Sequence, residues 1–326
     1  MYNAAMSTAS RIVRLLSCAM ATAPLFAAGN DCDRACLKTT LDQYLAAVIK
    51  HDPSAAPLFV GFRQTENAVV VKLGTGVWKS VTGLGKMQRR YLDPVSGQAA
   101  YFGIVEEGAN PAIVTARVRV DNRKITEAEW LIARDGDPGL NGPATATQRS
   151  GNVFDARNLT ANPPPERVVP KADRLSREAL VAITNSYFDG LTTHDGSIIM
   201  AHPGCSRLEN GRAMTGAGSG RGGKGGEPND CTSGLTNFSA ALVAARRYPV
   251  VDEEAQAVLA IAVFLRRPGL ATRRNVFSEW FFIDSSKIRT IYSAMFYPPP
   301  EQPVPNWPPY DGNWPLPASL APAASK

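Results

Sequence analysis

Three histidines occur in the sequence, and two stand in the same setting. His51-Asp52 and His194-Asp195 each close an apolar helical pattern, and a serine follows two positions after each aspartate. A histidine beside a carboxylate could move a proton, the acid orienting the base. Adjacent residues on a helix point in different directions, however, so Asp52 is badly placed to orient His51. A helix C-terminus accounts for both pairs: a cationic histidine complements the dipole there, and aspartate opens a turn.

The third histidine lies in an unrepeated setting, "AHPGCSRLENGR", which concentrates His202, Cys205, Arg207, Glu209 and Arg212. His202 or Glu209 could serve as base or acid, and Arg207 or Arg212 could stabilise developing negative charge. These four are the catalytic candidates. Glu-Asn occurs twice, as Glu66-Asn67 and Glu209-Asn210. A carboxylate beside an amide could hold a ligand, so Glu66, Asn67 and Asn210 are binding candidates, with Tyr248 beside them. The structural reading is a Glu accepting from backbone donors and an Asn in a left-handed turn.

The elements behind these residues reveal a duplication. Leu37, Tyr44, Leu45, His51-Asp52 and Glu66-Asn67 align at one offset with Leu180, Tyr187, Phe188, His194-Asp195 and Glu209-Asn210. Arg90-Tyr91 resembles Arg247-Tyr248, "QAAYFGIV" from Gln98 resembles "QAVLAIAV" from Gln256, and "RKITEAEWLI" from Arg123 resembles "SKIRTIYSAM" from Ser286. Each copy opens with a helix of apolar residues at i, i+3, i+4 spacing, ended by Pro53 in one and Gly196 in the other. Strands are predicted at 99–105, 113–120 and 125–132, and again at 258–265, 276–283 and 288–296. Asp121-Asn122-Arg123-Lys124 and Asp284-Ser285-Ser286-Lys287 supply the turns. A helix followed by consecutive antiparallel strands implies an α+β class.

Arg11 and Arg14, then an apolar stretch to Ala28, read as a secretory signal peptide over 1–28; Cys18 also sits where a lipoprotein cleavage site could stand. Removing the segment takes the net charge from +6 to +4. No dense basic stripe exists, which argues against a nucleic-acid partner, and no apolar run spans a membrane once the signal is gone. Four cysteines remain, Cys32, Cys36, Cys205 and Cys231, with three possible connectivities. Disulfides are favoured over zinc in an exported chain, and pairing local to each half is preferred. Module 1 is assigned to 29–134, a linker rich in Gly, Pro and Asn to 135–173, module 2 to 174–297, and an extended Pro/Trp-rich tail to 298–326. Trp307, Tyr310 and Trp314 of that tail are expected to pack across a domain surface. "GAGSGRGGKGG" from Gly216 lacks the Ser or Thr of a phosphate-binding loop and reads as a flexible loop. Asn158 and Asn237 open sequons that matter only in a eukaryotic host.

"CDRACL", "TENA", "LGTGVW", "GQAAYFGIVEEG" and "KITEAEWLIAR", with "CSRLENG" and "RRYPVVDEEAQAVLAI" in the second copy, carry a resemblance. The chain resembles the SnoaL-like branch of the nuclear transport factor 2-like superfamily. More narrowly, it is similar to an uncharacterised family of exported fungal and bacterial proteins with two such modules. The resemblance implies two cone-shaped modules, each a curved antiparallel sheet packed on N-terminal helices around a pocket. The superfamily spans isomerases, dehydratases, cyclases, hydrolases and non-catalytic binding modules, and the first reading is an exported enzyme doing cofactor-free proton transfer, as an isomerase or lyase, on a small organic molecule. A non-catalytic secreted binding or interaction protein is the other reading, and a homodimer is compatible with either.

Overall fold

A computed structural model describes residues 31–147, 151–216, 229–235, 240–266, 274–299 and 302. The expected signal peptide, most of the glycine-rich loop, the Asn237 sequon and the tail aromatics lie outside the described residues.

Module 1 runs α1 (Arg34–Ile49), β1 (Leu58–Glu66), β2 (Val69–Val71), α2 (Val77–Ser80), β3 (Gly83–Asp93), β4 (Gln98–Glu107), β5 (Asn110–Asp121) and β6 (Lys124–Arg134). After α3 (Ala156–Ala161), module 2 follows with α4 (Arg177–Thr193), β7 (Ala201–Glu209), β8 (Arg212–Ala213), β9 (Ala240–Asp252), β10 (Ala257–Arg266), β11 (Asn275–Asp284) and β12 (Lys287–Phe296). The sheets have matching orders, β2-β1-β6-β5-β4-β3 and β8-β7-β12-β11-β10-β9. The class is α+β with two sheet modules, as expected.

The expectation of purely antiparallel sheets is corrected. β1 runs parallel to β6, and β7 parallel to β12. The chain reaches each first strand from a helix and closes the sheet by returning beside it, so these pairings join segments far apart in sequence. The remaining neighbours are antiparallel, and the turns behave as expected: Asn122 and Arg123, like Ser285 and Ser286, take φ between 45° and 62°, the left-handed pair that a two-residue hairpin requires.

Helix α1 is capped by Asp33, whose carboxylate accepts from the Cys36 N–H, and Ser176 caps α4 in the same way. Both bury one stripe, Leu37, Leu41, Tyr44 and Val48 in α1 and Leu180, Ile183, Tyr187 and Leu191 in α4. Those stripes share apolar cores with the inner sheet faces. The helices stop where the chain turns left-handed at His51 and His194, with φ of 57° and 60°, before the expected Pro53 and Gly196.

The outer sheet faces bury against each other in a third core that joins Tyr91, Phe102 and Ile113 of module 1 to Leu259, Trp280 and Phe282 of module 2. Tyr91 and Trp280 lie with ring centroids 4.2 Å apart. Segment 151–173 contributes too: Leu159 is buried in this core, and Arg167 donates to the Ile283 carbonyl.

Two details of the internal alignment need correction. The hairpins pair Asp93 with Gln98 and Asp252 with Ala257, so Gln98 corresponds to Ala257, and a one-residue slip would swap the sheet faces. Tyr91 then corresponds to Val250 rather than Tyr248. Tyr91 packs between the modules, whereas Tyr248 packs against the inner core of module 2.

Candidate functional site

On the inner face of module 1, Ala116 pairs with Trp130 and Trp130 with Glu66 across three strands, while Tyr101 pairs with Ala116 on the other side. The same row in module 2 reads Ala260, Glu279, Ser293 and Glu209. Two large aromatics have become Ala and Ser, and a small residue has become a carboxylate. Cross-strand neighbours stand about 5 Å apart, so this exchange reshapes one continuous patch of the interior.

Module 1 fills its patch. Tyr44 donates to Gln64 Oε1 at 2.9 Å, Trp78 Nε1 donates to the same oxygen at 2.8 Å, and Trp130 Nε1 donates to the Tyr44 hydroxyl at 2.9 Å. Gln64 Nε2 and the Val77 N–H both donate to Glu66 Oε1 at 2.9 Å. Glu66 therefore holds the start of α2, and burial pushes its carboxyl above the usual range. The network is closed and apolar-walled.

Module 2 charges its patch. Arg207, at the position of Gln64, sits 2.5 Å from Glu209 and 3.1 Å from Glu279 Oε1. The Glu279 side chain is fully buried, and its Oε2 has no hydrogen-bond partner among the described residues. Burial pushes the Glu279 carboxyl up to about 7; Arg207 opposes this and Glu209 adds to it. Tyr187 of α4 packs into the same core, and burial raises its phenol. A buried carboxyl poised near neutrality beside a guanidinium can give or take a proton and stabilise an oxyanion.

The other candidates fall elsewhere. His202, at the opposite end of β7, is roughly 20 Å from Glu209 by strand rise, and its Nε2 donates to the Asp284 carboxylate at Oδ1, 2.6 Å away. Arg289 also pairs with Asp284. Arg212 is exposed on β8. Asn210 takes φ 43° and zips to β12: its amide donates to the Met295 carbonyl at 3.1 Å and its oxygen accepts from the Met295 N–H at 2.8 Å. Asn67 makes the same pair with Ile132. Tyr248 donates to Asn185 Oδ1 at 2.6 Å on α4, and burial pushes it up to about 12. His51 and His194 bond the carbonyls of Trp78 and Leu235, and Asp52 and Asp195 each accept from the N–H and hydroxyl of the serine two residues on. The structure thus brings Arg207 and Glu209 together with Glu279, which motif reading passes over.

The cysteines pair as Cys32–Cys36 and Cys205–Cys231. The second ties β7, two residues from Arg207, to the loop at Asp230, whose carboxylate accepts from the Gly204 N–H. Among the described residues no group of three His, Cys, Asp or Glu could hold a metal ion, and no helix is long and apolar enough to cross a membrane. A groove of about 500 Å³ on module 1 is lined by Asp33, Cys36, Thr39, Gln43 and Arg123 among others.

Fold and site define a duplicated α+β protein with a plugged first module and a charged interior in the second. Residues 173–295, which span module 2, match the model of a domain of unknown function (DUF8021). No curated protein matches the chain. Among solved structures it is similar to AusH from Aspergillus nidulans, at 11% identity over 38% of this chain and 86% of that one, with a TM-score of 0.26.

Proposed function

We propose that the protein is an exported enzyme of SnoaL-like type whose second module is a cone holding a small organic molecule. Glu279 exchanges a proton with the ligand through Oε2, and Arg207, held by Glu209, stabilises negative charge on the reacting group. The reaction class is cofactor-free isomerisation or elimination. One observation carries this reading: the row Ala260–Glu279–Ser293–Glu209 replaces the aromatic plug of module 1 with a buried, half-partnered carboxyl between two small residues. Two disulfides support export, since such bonds persist in oxidising compartments.

The second reading is a non-catalytic binding module. It is favoured by the place of His202 at the opposite end of β7 from Glu209, which leaves the Arg207–Glu279 pair without a histidine base. Native mass spectrometry after exposure to a metabolite extract, followed by turnover assays on retained compounds, separates the two. The enzyme reading expects Glu279→Gln to retain the ligand and lose turnover at least 100-fold. Retention without turnover in the wild type decides for the binding module, and undiminished turnover in Glu279→Gln sinks the assignment of Glu279.

A further inference from the structure

The outer edge of module 1 carries an apolar patch that β8, the equivalent strand of module 2, does not repeat among the described residues. β2 is the terminal strand of its sheet, and it covers only residues 64–66 of β1. Val69, Val70 and Leu73 are 43%, 40% and 43% exposed along this edge, and Phe59 and Val60 on the uncovered part of β1 are 49% and 97% exposed. The matching strand in module 2 is Arg212-Ala213. An open edge strand with exposed valines invites pairing with another chain unless something covers it.

The chain itself arrives at this place. Beyond β12, the Gln302 side chain donates to the Asn67 carbonyl at 3.4 Å, at the β1–β2 turn, and Arg274 donates to the Gln302 carbonyl. The sequence that follows, "PVPNWPPYDGNWPLP", places Trp307, Tyr310 and Trp314 among prolines. Five residues from Gln302 to Trp307 reach about 16 Å when extended, and Val69 and Val70 stand only two and three residues from Asn67.

We propose that residues 303–316 of this chain lie along the outer edge of β2, with Trp307 and Trp314 on the Val69, Val70 and Leu73 side chains, as an intramolecular strap that closes the open edge of module 1. Prolines suit the role, because a strap without N–H groups at those positions cannot template further strands.

Acrylamide quenching of the full-length chain tests this directly. Of the five tryptophans, Trp78, Trp130 and Trp280 are buried and serve as internal controls for folding. The strap predicts that none of the five is fully quenched in the wild type. Val70→Lys, a change at an exposed side chain, should release two of them to quencher. Hydrogen exchange of the 69–73 amides should quicken at least tenfold in the Trp307→Ala/Trp314→Ala double variant. Two freely quenched tryptophans in the wild type, or no response to Val70→Lys, overturns the proposal. Protection that rises with protein concentration, with dimers in sedimentation, assigns the edge to the tail of a second copy and overturns the intramolecular strap.

Discussion

Arg34, in the first turn of α1, grips Asp252 of the other module with two hydrogen bonds of 2.9 and 3.1 Å. Its duplicate Arg177 does the same in reverse, reaching Asp93 of module 1 at 2.7 Å. Each aspartate also accepts a backbone N–H across the boundary, from Leu92 to Asp252 and from Val251 to Asp93. Two modules thus meet as the halves of a twofold dimer do, with the same contact made twice, inside one chain.

The reciprocal pair predicts unequal costs. Asp252 is buried, and it accepts from the N–H groups of Leu92, Glu254 and Ala255 as well as from Arg34. Asp252→Ala orphans buried donors and should cost about 3 kcal/mol or more. Arg34→Ala leaves those backbone bonds in place and removes a partly exposed partner, so about 1–2 kcal/mol is expected. Urea unfolding of the two variants measures both, and an Arg34→Ala loss equal to that of Asp252→Ala would refute the hierarchy.

The asparagine zippers should behave as architecture. Asn210→Ala leaves the buried Met295 N–H and carbonyl without partners and puts Cβ-bearing alanine at φ 43°, a loss of about 2–4 kcal/mol. Asn210→Gly relieves the backbone strain and should recover about 1 kcal/mol of it. Thermal unfolding reads the order wild type, glycine, alanine; alanine equal to wild type would mean that the zipper contributes nothing.

The helices and the two late hairpins of each module are legible because local rules decide them: apolar spacing and turn residues. The first strands are not. β1 contains Gly61 and β7 contains Pro203-Gly204, and both are held by parallel partners far along the chain, a pairing that no local pattern reports. The same asymmetry governs the site. Arg207 and Glu209 stand out by type, though they lie on a strand rather than in a loop. Glu279 is hidden inside "NVFSEWFFID", which reads simply as a buried strand. Its signal is comparative: the offset that aligns Ile125 with Ile288 also sets Ala116 opposite Glu279 and Trp130 opposite Ser293.

The two disulfides should differ in weight. Cys205 and Cys231 are separated by 26 positions and Cys32 and Cys36 by 4. Loop-closure entropy assigns about 3.5 kcal/mol to the first and about 2 kcal/mol to the second. The Cys205→Ser/Cys231→Ser variant should therefore show the larger drop in unfolding midpoint, and it should also loosen β7 beside Arg207. Equal drops would show that native-state contacts, not chain entropy, set the values.

Glu279 gives the protein a stability profile with a definite sign. Its carboxyl titrates near 7 in the folded chain, against an ordinary value of 4.5. Below pH 4.5 both states hold the proton, so the group contributes nothing to the pH dependence. Between 4.5 and 7 the folded state holds more protons than the unfolded one, and stability falls as pH rises, by at most about 1.4 kcal/mol per pH unit. Above 7 the loss is complete. Glu129, held below the usual range against its own desolvation by Arg247 and Arg117, acts in the other direction: its contribution is full above 4.5 and is lost as pH falls below that. Glu66 and Asp137 are also raised by burial, so the difference between wild type and Glu279→Gln isolates the group. Glutamine still accepts from Arg207 but cannot ionise. Urea unfolding at pH 5 and pH 8 should find the variant gaining on the wild type by a few kcal/mol at the higher pH; an unchanged difference would mean that the Glu279 carboxyl is hydrated and ordinary.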